Sequence, residues 1–99
     1  MEDIRRQLAS GEFEFSRHGF RRAVERNISE QEIREAGASA ELIEDYPDDK
    51  YAPSALLFGL SAAGRALHFQ VSFDDTVLTK IITIYEPDPS EWINYRKRR

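Results

Sequence analysis

The first 38 residues repeat their apolar positions at helical spacing. Ile4 and Leu8 lie four residues apart, and Gly11 suits the end of a helix, so a short first helix is predicted. A second helix is predicted over about residues 17 to 27, beginning after the candidate N-cap Ser16. The buried stripe expected on this helix is Phe20, Ala23 and Val24.

The third predicted helix has the clearest start signal in the chain. Ser29 and Glu32 have the spacing of a capping box, and Ile28 and Ile33 have the spacing of a hydrophobic staple. The helix is therefore expected to begin just after Ser29 and to end at Gly37.

From residue 41 onward the apolar positions alternate with a period of two, which is typical of β-strands. The predicted strands lie near residues 41–46, 54–61, 66–73 and 77–86. Helices followed by consecutive strands with short connections predict an α+β fold, in which N-terminal helices pack on a meandering antiparallel four-stranded sheet. The expected single domain covers residues 1–99, with 1–38 mainly helical, 41–87 in the sheet and 88–99 as a basic C-terminal tail.

The last predicted hairpin decides which face of the sheet His68 occupies. A four-residue loop, DDTV, places His68 opposite Thr83, with Tyr85 close by on the same open face. A three-residue loop would reverse the faces. We prefer the four-residue loop because it brings Ile82 and Ile84 into the core.

Charge and composition restrict the function classes. The 99 residues include 14 basic and 18 acidic side chains, for a net charge of −4. This balance excludes a uniformly basic nucleic-acid binder but allows a few arginines to hold one or two phosphates. The chain has no cysteine, which excludes disulfides and thiol chemistry and suits a reducing cytoplasm. No apolar run or N-terminal pattern predicts a membrane span or a signal peptide, so we expect a cytoplasmic protein.

Candidate chemistry is concentrated on the second helix and the last two strands. His18, Arg22 and Arg26 are four residues apart, so their side chains share one helical face. Metal-independent RNA cleavage needs a base, an acid and cations that stabilise the phosphorane charge. His18, His68, Arg22, Arg26 and Tyr85 supply these groups, and they are the predicted catalytic residues.

The same side chains also have simpler interpretations. Arg22 and Arg26 could pair with Glu25 or Glu30 on a solvated helix face, and His18 could be a local hydrogen-bonding residue. The roles of acid and base cannot be divided between the two histidines from the sequence.

Additional RNA contacts are expected from other cations, and no cofactor is expected. The predicted RNA-binding residues are Arg65, Lys80, Arg96 and Arg98. The acidic residues Asp45, Asp48 and Asp49 match no metal-ligand spacing, so no metal site is predicted.

The order of the motifs resembles that of a bacterial domain-of-unknown-function family, DUF4258. Its pattern is a histidine and two arginines on one helix, a Gly-Arg-x-x-His strand and an Ile-Thr-x-Tyr-x-Pro strand. The matching residues here are His18, Arg22, Arg26, Gly64, Arg65, His68, Ile82, Thr83, Tyr85 and Pro87. Gly19 departs from the family, where most members have alanine, and is expected to weaken the helix by roughly 1 kcal/mol.

The resemblance implies a function as well as a fold. The family is similar in layout to RelE- and BrnT-like toxins, which are compact α+β ribonucleases inhibited by a partner antitoxin. It therefore implies a metal-independent ribonuclease toxin of a type II toxin–antitoxin system, with RNA as substrate and no membrane partner. The implied partner is a cognate antitoxin, with the zinc-finger MqsA type as one candidate. The alternative is a non-catalytic RelE-like protein-interaction domain.

Overall fold

The computed structural model describes residues 1–50, 52–72 and 78–99. The helices are α1 (Glu2–Ser10), α2 (Arg17–Glu25) and α3 (Glu30–Ala38). The strands are β1 (Phe13–Phe15), β2 (Glu41–Tyr46), β3 (Ser54–Leu60), β4 (Ala66–Ser72), β5 (Thr79–Tyr85), β6 (Trp92–Ile93) and β7 (Lys97–Arg98). No helix within these ranges is long and apolar enough to cross a membrane.

The predicted α+β class is confirmed, with one strand more than expected in the main sheet. Strands β2 to β5 form an antiparallel meander, and β1 adds to β5 in parallel to give the order β1-β5-β4-β3-β2. The additional strand is short, with Phe13 opposite Thr79 and Phe15 opposite Ile81. The core lies between the helices and one face of this sheet, where Leu8, Ile33, Leu57, Phe69 and Val71 are fully buried.

The helix starts follow the sequence signals, but the end of α3 does not. Ser29 and Glu32 form the predicted capping box. Gly37 lies inside α3, which ends at Ala38, so the predicted stop at Gly37 is wrong. A Cβ atom at Gly37 would lie 2.3 Å from the Leu8 Cβ. This glycine therefore permits close packing of α3 on α1.

Helix α2 runs along the edge of β5. Residues at its two ends bind backbone carbonyls of β5 that the short strand β1 does not reach. The Ser16 amide donates to the Ile81 carbonyl at 2.9 Å, and the Ser16 hydroxyl donates to the Ile82 carbonyl at 3.1 Å. At the other end of the helix, Arg26 Nη1 donates to the Ile84 carbonyl at 2.7 Å. These contacts satisfy strand acceptors that would otherwise lack a neighbouring strand.

The position of α2 overturns part of its predicted buried stripe. Ala23 is buried, whereas the Phe20 and Val24 residues are 58% and 63% exposed. A helix that packs along a strand edge buries a narrower surface than one that lies across a sheet. The small residues Gly19 and Ala23 therefore face β5, and the larger apolar side chains face outward.

Gly19→Ala is expected to destabilise the fold, although alanine favours helices. A Cβ atom at Gly19 would lie 2.3 Å from the Ile81 carbonyl oxygen, so α2 or β5 would have to shift. We expect the free energy of unfolding to fall by about 1–3 kcal/mol, as in other overpacked sites. Urea denaturation measures the change. Arg21→Ala, at an exposed position on the same helix, serves as the control, and an equal or greater stability of Gly19→Ala would contradict the close approach.

The register of β4 and β5 differs from the predicted one by two residues. His68 lies opposite Tyr85, rather than opposite Thr83. Because side chains alternate with a period of two, the predicted face is retained, and His68, Thr83 and Tyr85 share it. The residues of the predicted loop, 74–77, lie outside the described residues.

A β-bulge in β5 changes which isoleucines enter the core. The register shifts between Gln70 and Val71 of β4, so Ile82 is an extra residue between the paired positions Ile81 and Thr83. Ile84 is fully buried as predicted, but Ile81 takes the second buried position and Ile82 is only partly buried.

The C-terminal segment forms a hairpin instead of the expected basic tail. Strands β6 and β7 pair antiparallel, with Trp92 opposite Arg98. Residues 94–96 connect the paired positions Ile93 and Lys97, and two of them, Asn94 and Tyr95, have φ values of 52° and 63°, in the left-handed region that tight hairpin turns use. The hairpin packs on the sheet face opposite the helices, through the contacts described below.

Candidate functional site

Two arginine–carboxylate pairs attach the C-terminal hairpin to β2. The Arg96 guanidinium donates to both oxygens of Glu41, at 2.7 and 3.2 Å, and the Arg98 guanidinium donates to both oxygens of Glu44, at 2.8 and 3.1 Å. A register shift in β2 between Leu42 and Glu44 places both carboxylates on one face of the sheet. The two-residue spacing of the arginines on the hairpin matches this arrangement.

The hairpin completely buries His68. The residue has no exposed surface, and the Trp92 ring packs edge-to-face on the imidazole with 4.5 Å between ring centroids. The His68 Nε2 atom lies 2.6 Å from the Tyr95 carbonyl oxygen, and the Nδ1 atom lies 3.2 Å from the Tyr85 hydroxyl. Because a carbonyl only accepts, the proton of a neutral ring belongs on Nε2, and Nδ1 accepts from the Tyr85 hydroxyl.

Burial sets the protonation state of this pair. It lowers the pKa of His68, although the Tyr95 carbonyl and the nearby Glu44 carboxylate act in the opposite direction. Burial also raises the pKa of the Tyr85 hydroxyl. Near neutral pH the pair is therefore a neutral imidazole that accepts a hydrogen bond from a neutral phenol.

The lowered pKa of His68 predicts a loss of stability in mild acid. Below the ordinary histidine pKa of 6.5 the unfolded chain binds a proton that the folded protein resists, so the free energy of unfolding falls as pH decreases. Urea denaturation between about pH 7 and 5 measures the slope, above the range where carboxylates titrate. In His68→Gln, whose side-chain amide can still donate to Tyr95, the slope should be much smaller. An unchanged slope in that variant would contradict the assignment.

A cleft of about 440 Å³ opens beside this buried pair. It lies where the end of α2, the end of β5 and the hairpin meet, and its lining residues are Arg26, Tyr85, Glu86, Asp88, Glu91, Trp92 and Arg98. Of the sequence-predicted catalytic residues, Arg26 and Tyr85 line the cleft, and His68 is connected to it through the Tyr85 hydroxyl.

The cleft contains charges of both signs. Glu86 is paired with Arg65 at 2.6 Å, and Asp88 accepts from the Ser90 amide at 2.9 Å. The Arg98 guanidinium is neutralised by Glu44, whereas the Arg26 side chain makes its one polar contact among the described residues with a backbone carbonyl. Within the described ranges, Arg26 is therefore the cleft guanidinium without a carboxylate partner, and its Nη2 and Nε atoms remain available to an anion.

His18 and Arg22, which share the predicted helical face with Arg26, do not line this cleft. The Arg22 Nε atom lies 3.4 Å from His18 Nε2, and Arg22 Nη1 donates to Glu25 at 3.0 Å. This is the local pairing that the sequence left open. His18 is exposed, so the predicted convergence of all five side chains is not present in the structure.

All four predicted RNA-binding cations have carboxylate partners. Arg65 bridges Glu32 and Glu86 and also donates to the Arg26 and Asn27 carbonyls, so it fastens the end of α2 to β4. The nearest carboxylate to Lys80 Nζ is that of Glu14, at 3.9 Å. As described above, Arg96 and Arg98 are both bound to β2. The count of basic residues in the sequence did not reveal this pairing.

Sequence reasoning missed the aromatic cover of the site. Trp92 lies over His68, and the Arg98 guanidinium lies 4.6 Å above the centre of the Trp92 ring. The available signal was weak: Asn94 favours a left-handed turn, but Tyr95 rarely adopts that conformation. In the described part of the chain, no group of three or more histidine, aspartate or glutamate side chains is arranged to hold a metal ion.

Comparison with known proteins assigns the chain to a family. The family model described as Domain of unknown function (DUF4258) matches residues 15–86, so the chain belongs to this family. The match includes α2, α3, strands β2 to β5 and the His68–Tyr85 pair. Searches of curated proteins and of solved structures found no match.

Proposed function

We propose that this protein is a small metal-independent endoribonuclease that acts as the toxin of a type II toxin–antitoxin system in the cytoplasm. The observation that carries the proposal is the junction of Arg26, Tyr85 and His68. Arg26 and Tyr85 line one cleft, and the neutral imidazole of His68 accepts from the Tyr85 hydroxyl. These are the groups that cleavage by a ribose hydroxyl needs.

In the proposed reaction, Tyr85 and His68 act together as the base. The Tyr85 oxygen takes the proton of the RNA 2′-hydroxyl while the Tyr85 proton moves to His68 Nδ1. The 2′-oxygen forms a bond to phosphorus, the bond from phosphorus to the 5′-oxygen breaks, and water supplies the proton that the 5′-oxygen takes up. The Tyr85 proton has an acceptor 3.2 Å away, and although burial lowers the pKa of His68, the Tyr95 carbonyl and the Glu44 carboxylate favour the protonated ring that the relay forms.

The proposed roles differ from those that the sequence suggested. We assign stabilisation of the phosphorane to Arg26 alone, rather than to Arg22 and Arg26 together, because Arg26 lines the cleft and only its Nη1 atom donates to a backbone carbonyl. Tyr85 contacts the substrate and His68 acts behind it. His18 and Arg22 receive no role in the chemical step.

A cognate antitoxin is the proposed protein partner, with the zinc-finger MqsA type as one candidate. An antitoxin that covered the cleft would block RNA at Arg26 and Tyr85. The acidic surface of the chain supports this view, because it limits non-specific RNA binding and leaves recognition to a small local site.

A matched pair of arginine variants tests the proposal. The side chains of Arg26, at the end of α2, and Arg34, in α3, each donate a hydrogen bond to one backbone carbonyl. Of the two, only Arg26 lines the cleft. Arg26→Ala is expected to lower RNA cleavage by about a hundred- to a thousandfold, the usual cost of losing one transition-state contact. Arg34→Ala should cleave like the parent. The rates are measured with purified protein in a chelator, together with growth after induced expression, and equal activity of the two folded variants would contradict the assignment.

A non-catalytic interaction domain is the second candidate, and the complete burial of His68 favours it. A histidine whose two nitrogens are both satisfied and whose ring is covered by Trp92 is also a good structural residue. Under this alternative, purified parent protein would leave RNA intact, and Arg26→Ala would not change its effect on growth.

A further inference from the structure

The outward face of α2 combines exposed apolar side chains with arginines whose side chains have no partner among the described residues. Phe20 and Val24 are four residues apart and more than half exposed. Arg17 and Arg21 have the same four-residue spacing and lie beside them on this face, because residues three and four apart are neighbours on a helix. We call these four residues the α2 outer face.

The two arginines differ from every other arginine in the chain. Neither the Arg17 nor the Arg21 side chain has a hydrogen bond or an ion pair within the described ranges. The others each contact at least one oxygen: Arg5, Arg6, Arg22, Arg26, Arg34, Arg65, Arg96, Arg98 and Arg99. In a chain with more acidic than basic residues, two neighbouring unpaired guanidinium groups form a local positive surface.

The apolar part of this surface continues beyond the helix. The Phe20 ring packs edge-to-face on Phe15 with 5.9 Å between centroids, and Phe15 packs in the same way on Phe13 at 5.7 Å. Phe13 and Phe15 belong to β1, the terminal strand of the main sheet, and both are partly exposed. An apolar ridge therefore extends from α2 to the edge of the sheet.

From this arrangement we propose that the α2 outer face binds an acidic amphipathic helix of a partner protein. Apolar residues one turn apart pack between the apolar residues of a second helix, and carboxylates beside those residues would pair with Arg17 and Arg21. Charge complementarity selects this occupant: a symmetric contact between two copies of α2 would bring like charges together. RNA fits less well, because Phe20 is the single aromatic side chain of the α2 outer face and Val24 has no ring on which a second base could stack. The inference is independent of RNA cleavage in the cleft.

Binding of two designed peptides to the intact protein tests the proposal. Each has about three heptads with leucine at the a and d positions, and the e and g positions carry glutamate in one peptide and lysine in the other. We expect the glutamate peptide to bind about tenfold more tightly at low salt, to shift the backbone amide resonances of residues 17–25, and to lose this advantage at high salt.

Charge reversal supplies the controls. Arg17→Glu combined with Arg21→Glu should reverse the preference between the peptides, whereas Arg6→Glu, at an exposed position on α1, should leave it unchanged. Both variants alter exposed side chains, and circular dichroism checks their folding. Four results would each overturn the proposal: no binding of the glutamate peptide, equal binding of both peptides, tighter binding of single-stranded oligouridine at α2, or a dimer in sedimentation that buries this face.

Discussion

Tyr85→Phe is expected to lower the rate of RNA cleavage by about a hundred- to ten-thousandfold without unfolding the protein. The substitution keeps the ring, whose centroid lies 5.3 Å from that of His68, and removes only the hydroxyl that contacts His68 Nδ1. Without this oxygen the 2′-hydroxyl proton has no route to His68 Nδ1. Initial rates on a labelled RNA, with the amount of folded protein checked by circular dichroism, measure the effect.

Tyr46 provides the matched control for Tyr85. Its hydroxyl also donates to a side chain, that of Glu44, but Tyr46 does not line the cleft with Arg26. Tyr46→Phe should therefore retain the parental rate. If both phenylalanine variants lost activity equally, or if Tyr85→Phe cleaved like the parent, Tyr85 would have no role in proton transfer.

The second large effect concerns the C-terminal hairpin. Trp92→Ala is expected to lower the free energy of unfolding by about 3–5 kcal/mol, the usual cost of truncating a buried aromatic residue. The Trp92 side chain covers His68 and supports the Arg98 guanidinium, so its loss exposes the imidazole and weakens the attachment to β2.

Ile93, the residue after Trp92, provides the control that distinguishes a packed hairpin from a frayed tail. Ile93 is 40% exposed, and Ile93→Ala should cost about 0.5 kcal/mol, as for a typical surface substitution. Urea denaturation of both variants gives the comparison. Similar small costs for Trp92→Ala and Ile93→Ala would mean that the segment does not pack on the sheet.

Local interactions made part of the fold predictable. Ser16 and the Ser29–Glu32 capping box were identified from the sequence because their hydrogen bonds join residues three positions apart. The face of β4 that carries His68 was identified from alternation alone. An error of two residues in register did not affect that prediction, because a shift of two preserves the face.

Long-range contacts account for what the sequence did not reveal. The Ser16 hydroxyl bonds to a carbonyl 66 positions away, and this contact holds α2 at the edge of β5. The Arg98 side chain bonds to Glu44, 54 positions away, and thereby folds the expected tail over His68. Periodicity reports which side of an element is apolar, but it does not report which distant segment will cover that side.

The candidate site was also predictable only in part. Arg26 and Tyr85 were predicted together from spacing and alternation, and they line one cleft. Arg22 was predicted with them because it shares the helical spacing, but it pairs with Glu25 on the exposed side of α2. Four-residue steps advance by more than one full turn, so a line of three side chains drifts around the helix and need not enter one cleft.

The chemical ends of the RNA products test the proposed function most directly. Purified parent protein is incubated with an end-labelled RNA in excess chelator, and the product ends are identified by mass spectrometry. Attack by the 2′-hydroxyl predicts products with a 2′,3′-cyclic phosphate and a 5′-hydroxyl, and it predicts that Tyr85→Phe loses them. Intact RNA after treatment with the folded parent, or products with 3′-hydroxyl and 5′-phosphate ends, would contradict the proposal.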